Sequence, residues 1–144
     1  MNERKNINRG YMRLTVWQDA SDYYVASCQI FRALSYDLKR VSSQQVASVD
    51  SIHRDIAEGY CRRTIREYLQ YLNIALASAG ESVSGLRVCL KADQIDGEQF
   101  ESLDRMAFKL ENGLIKLIES LQKRQLDGSW DDSFVVRESN AAYA

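Results

Sequence analysis

The chain holds a single histidine, His53, placed three residues after Asp50. On a helix that spacing sets an imidazole beside a carboxylate, the arrangement a proton relay or a metal site would use. A bundle that binds two metal ions needs Glu-x-x-His on two helices and two further glutamates, so one such pair cannot build it. His53 is therefore read as a polar residue of the second helix, and neither a metal nor another cofactor is assigned. The three cysteines, Cys28, Cys61 and Cys89, are odd in number and lack any C-x-x-C pair. They suit buried thiols in a reducing compartment. No glycine-rich phosphate loop, H-E-x-x-H or G-x-S-x-G occurs, so no catalytic residue is named and the chain is not read as an enzyme.

One local charge pattern stands out. Arg54, Arg62, Arg63 and Arg66 cluster, opposed by Asp55, Glu58 and Glu67. The planar guanidinium fork matches phosphate oxygens, and Tyr60, Tyr68 or Tyr71 would add stacking if exposed. The alternative is a solvated interhelical turn with internal ion pairs. Lys plus Arg (19) nearly balances Asp plus Glu (20), so bulk charge favours no nucleic acid and any contact must be local.

The elements that position these residues read as helices. Proline is absent and glycine numbers seven in 144 residues, a length suited to one domain. Trp17, Ala20, Tyr24, Ser27, Phe31, Leu34 and Leu38 form one helical stripe, with Thr15 and Gln18 as a capping box. Ser42 and Gln45 repeat the box before Val49, Ile52 and Ile56, and Gly59 is expected to end this helix in the left-handed conformation. Thr64 and Glu67 open a third segment, Ile65 to Leu90, roughly 40 Å long. Asp96 and Gln99 cap a fourth, Phe100 to Leu121, ending near Arg124. Short connections predict an all-α, antiparallel up-down-up-down four-helix bundle over residues 14–125. Residues 1–13 are expected to be a flexible lead-in and 126–144 a mobile tail, docked through Trp130 or Phe134. No apolar run approaches the ~20 residues of a membrane span, and no signal peptide is visible, so a cytoplasmic protein without membrane contact is expected.

Two helices carry a second apolar row beside the core stripe: Val16, Tyr23 and Ile30 on the first, Phe108, Ile115 and Ile118 on the fourth. A monomeric bundle buries about three positions in seven, so the extra rows suggest an oligomer interface; the alternative is a wide stripe filling a broad core.

Several motifs together carry a family resemblance: Val16-Trp17-Gln18, then Ile56-Ala57-Glu58-Gly59 followed by Arg62, then Glu67-Tyr68 and the run Tyr71-Leu72-Asn73-Ile74-Ala75-Leu76-Ala77-Ser78. Over about residues 14–124 the chain resembles the four-helix-bundle proteins associated with intervening sequences of bacterial 23S rRNA. That family is similar in fold to the accessory proteins of diversity-generating retroelements, pentameric bundles that bind nucleic acid and a reverse transcriptase. The resemblance implies a homo-oligomer, a pentamer by analogy, with RNA as the partner to test and Trp17, Glu58 and Gly59 as structural motif residues. Many relatives carry an arginine pair and an Ile-Pro-Ser-Asn stretch where this chain has Val46-Ala47 and Ile52-His53-Arg54-Asp55. Loss of the arginine pair removes charge that would favour phosphate. A carboxylate near a helix C-terminus opposes the dipole, so Glu58 is expected to have a hydrogen-bonding partner. The sequence thus points to a non-enzymatic, oligomeric bundle that binds RNA, or alternatively to a protein-interaction adaptor that binds no nucleic acid.

Overall fold

Helix termini expose unpaired amides, and the strongest caps in the sequence mark the best-defined helix starts. In the computed structural model, which describes residues 7–130, the Asp96 side chain accepts from the Gln99 amide at 2.8 Å. The Gln99 carboxamide returns the favour to the Asp96 amide at 3.0 Å, completing the box that opens α4 (Gly97–Asp127). Thr64 accepts from the Glu67 amide and opens α3 (Ile65–Lys91). Before these run α1 (Thr15–Phe31) and α2 (Lys39–Cys61), with 3-10 turns at Ile7–Arg13 and Tyr36–Leu38.

Side-chain pairings give the directions. Phe31 meets Ser42 and Trp17 meets His53, so α1 and α2 run antiparallel. Gln45 meets Ser82, and Glu58 meets Tyr71, which reverses α3 on α2. Arg87 lies over Phe100 and Asp19 meets Lys109, closing the ring through α4 back to α1. This is the expected all-α four-helix bundle, each helix packed on its two neighbours.

Local readings fare unevenly. Thr15 forms no capping box: Leu14 is the N-cap, without a side-chain bond, and Gln18 donates instead to the Met12 carbonyl. Ser42 lies inside α2, where its hydroxyl donates to the Phe31 carbonyl, and Gln45 is buried against α3. The fourth helix runs three residues past the expected Arg124, to a stop at Gly128 in the left-handed conformation (φ 72°). Gly59 does not turn the chain. It is a buried helical residue of α2, and a Cβ placed there would lie 2.7 Å from the Tyr71 Cβ. Its lack of a side chain lets α2 and α3 approach closely. Residues 7–13, expected to be flexible, form a 3-10 helix packed on α1 and α2, with Leu14 fully buried behind it. The Trp130 ring lies 6.3 Å from that of Tyr68; Phe134, the other docking residue considered, lies outside the described residues.

The core is mostly aliphatic, with Phe31, Tyr60, Tyr68 and Phe100 among its side chains, and a hydrogen-bonded polar chain crosses it. Ser82 on α3 donates to the Ala79 carbonyl, so the hydroxyl of Tyr23 on α1 is the donor in its 2.8 Å bond to the Ser82 oxygen. The carboxamide of Gln45 on α2 donates to the Ser82 carbonyl at 2.8 Å. Burial pushes the Tyr23 phenol from 10 up to about 12.

Two predictions follow from this packing. Gly59→Ala should lower unfolding free energy by about 1–3 kcal/mol through overpacking, while Gly80→Ala, with nothing within 4 Å of the added carbon, should raise it by up to about 1 kcal/mol. Urea denaturation at fixed protein concentration reads both. Because the Tyr23 phenol is raised in the fold, its contribution is complete below pH 10 and declines as pH rises from there towards 12. Tyr23→Phe should flatten this alkaline loss in the pH dependence of unfolding.

Candidate functional site

The α2–α3 link spans only residues 62–64, so side chains from the end of one helix face the start of the next. Arg62, extended at the α2 C-cap, sits at the centre of that corner. Its Nη2 donates to Glu58 Oε1 at 3.0 Å and to the Tyr71 hydroxyl at 2.7 Å, and its Nη1 lies 3.6 Å from Glu67 Oε2. The guanidinium also lies over the Tyr71 ring, 5.0 Å from its centre. Tyr71 in turn donates to Glu58, which therefore has the partners its position required.

One turn upstream, Asp50 accepts from Arg54 Nε at 2.6 Å and bonds His53 Nε2 at 2.8 Å. The Asp50–His53 spacing thus builds a clamp, and the imidazole lies edge-on to Trp17 and Tyr24. Desolvation is the largest influence on the Asp50 carboxyl and pushes it up, but Arg54 and His53 together outweigh it and hold the group below its usual range.

Of the four predicted phosphate contacts, Arg54 and Arg62 are engaged by carboxylates, while Arg63 and Arg66 are exposed at the corner. The stacking partners fall differently from expectation. Tyr60 and Tyr68 are buried in the core and Tyr71 is held by Glu58 and Arg62, so none is a free platform.

The predicted interface residues divide as well. Val16, Tyr23 and Ile118 belong to the core of the single chain, and Ile30 is half-buried against it. The buried face of α1 runs through Val16, Ala20, Tyr23, Ser27 and Phe31, which moves Trp17 and Tyr24 to its edge. Phe108 and Ile115 alone remain outside, 65% and 43% exposed on the outer face of α4.

A groove of about 480 Å³ also opens at this end of the bundle, lined by Tyr11, Trp17, His53, Arg54, Ala57 and Glu58. It joins the segments containing Val16-Trp17-Gln18 and Ile56-Ala57-Glu58-Gly59. Tyr11 was hidden to sequence reasoning because it lies in the supposed lead-in; the aromatic spacing of Tyr11 and Trp17 was the available signal. Cys89 is buried, Cys28 is half-buried, and Cys61 donates to the Asn8 carbonyl at 3.2 Å, so only one thiol is the fully buried type expected. Among the described residues no three His, Cys, Asp or Glu side chains gather as a metal ion would need, and no helix is long and apolar enough to cross a membrane.

The fold and its paired corner define an all-α bundle whose distinctive side chains cluster where α2 meets α3. Residues 12–116 match the model of the 23S rRNA-intervening sequence protein family, and the chain belongs to that family. No curated protein matches it in sequence.

The Asp50 clamp gives a test. A carboxylate lowered in the folded state stabilises fully above its ordinary titration range and loses that contribution as pH falls through its lowered value. Asp50→Asn should be less stable than the parent near pH 7, and the two unfolding curves should converge as pH falls below the ordinary carboxylate range.

Proposed function

We propose that the chain is a non-enzymatic binding bundle that assembles with copies of itself and holds RNA at its α2–α3 corner. The observation that carries the assembly is the apolar pair Phe108 and Ile115, seven residues apart on one exposed stripe of α4. That spacing puts the two side chains about 10 Å apart along the helix, a row that a neighbouring helix would cover. The resemblance to pentameric bundles makes a closed ring the form to look for.

RNA is supported by the exposed Arg63 and Arg66 and by the family's name, which ties its members to 23S rRNA intervening sequences. Arg54 and Arg62 are neutralised by Asp50, Glu58 and Glu67, so they add orientation more than net charge. That neutralisation favours a second reading, a protein-interaction adaptor with no affinity for nucleic acid. A cytoplasmic location fits both readings.

Light scattering separates them. The parent should have the mass of a closed oligomer, and Phe108→Glu with Ile115→Lys should reduce it to monomer without loss of helical circular dichroism. With a mixed RNA pool, the oligomer should gain mass at low salt and lose it at moderate salt, because phosphate contacts release counterions. Reversing Arg63 and Arg66 to glutamate should abolish the gain. An oligomer that takes up no RNA at any salt would support the adaptor, and a monomeric parent would refute self-assembly.

A further inference from the structure

We propose that the groove between the N-terminal 3-10 segment, α1 and α2 is a binding site for a guanine base. This deepens the RNA reading and rests on it only for the source of the base.

Three rings line the groove, each edge-on to the next. Tyr11 and Trp17 stand 5.5 Å apart at 64°, and Trp17 and His53 6.4 Å apart at 86°. The small side chain of Ala57 leaves room between them and the polar rim of Arg54 and Glu58. At about 480 Å³ the space lies within the range of small-molecule sites, so a base and part of its sugar fit.

Charge selects the class of ligand. Asp50 neutralises Arg54, and Arg62 neutralises Glu58, so the groove offers neither a net cation for a phosphate nor a net anion for an amine. A neutral, planar heteroaromatic ring suits it. Hydrogen bonding then narrows the class. Arg54 spends its Nε on Asp50, and its two terminal amino groups carry no bond among the described residues. Glu58 receives Arg62 and Tyr71 on Oε1, leaving Oε2 as an acceptor. Arg54 and Glu58 are one turn apart on α2, so a donor fork and a carboxylate oxygen stand along the same rim. Guanine presents acceptors at N7 and O6 and donors at N1 and N2, and so can answer both; adenine has no donor at N1 and no acceptor at position 6.

Trp17 supplies the readout. In full-length protein carrying Trp130→Phe, Trp17 is the remaining tryptophan, and its fluorescence should be titrated with guanosine, adenosine and a short single-stranded ribonucleotide containing one guanine. Guanosine should quench saturably and adenosine about tenfold more weakly. Ala57→Leu, which fills the groove, should remove the response, and the surface change Arg54→Ala should weaken it about tenfold with helical content unchanged. A response to the oligonucleotide without one to guanosine also supports the site, with the base supplied by RNA. Saturable guanosine binding in a protein that retains no RNA supports the groove and retires the RNA reading. RNA uptake with no Trp17 response retires the groove and leaves that reading standing. Silence towards both probes, or quenching that Ala57→Leu leaves intact, overturns the proposal.

Discussion

The hydrogen-bonded chain from Tyr23 through Ser82 to Gln45 is the constraint on which the rest of the bundle depends. Leucine packing alone tolerates several helix registers, because one apolar layer resembles the next. A buried hydroxyl does not tolerate a slip, since moving α1 by a turn would leave the Tyr23 oxygen desolvated and unbonded. The chain ties α1, α2 and α3 at one level of the core. That level determines that Trp17 meets His53 at the far end of α1 and α2, and so that the groove exists there.

The same logic explains what sequence could and could not show. Helices α3 and α4 are legible because a side-chain cap and an unbroken apolar stripe agree on where each begins, as Thr64 and Asp96 do. On α1 both Trp17 and Val16 could have been the inward position. Tyr23 settles it through Ser82, fifty-nine residues away, a partner no local pattern announces. The interface reading failed at Val16 and Tyr23 for that reason and at Ile118 because it packs into the core from α4, and survived as a proposal only where α4 leaves Phe108 and Ile115 uncovered. Gly59 shows a related ambiguity. Glycine near a helix end signals either a left-handed turn or a close crossing, and only the position of Tyr71 tells which.

At the candidate site, residue types were legible but their pairing was not. Four arginines within thirteen positions suggested a phosphate surface, yet helical spacing also places Asp50 four residues before Arg54 and Glu58 four before Arg62. Those pairs turn half of the cluster inward on itself and leave a neutral, aromatic-lined groove beside two exposed cations.

A double-mutant cycle between Tyr23→Phe and Ser82→Ala, read by urea unfolding at one protein concentration, tests the core constraint most directly. Ser82→Ala strands a buried phenol and should be costly, while adding Tyr23→Phe should recover part of that loss, giving a coupling of about 1 kcal/mol. Additivity to within about 0.3 kcal/mol would show that the two hydroxyls do not act together, and would contradict the account of how this bundle fixes its register.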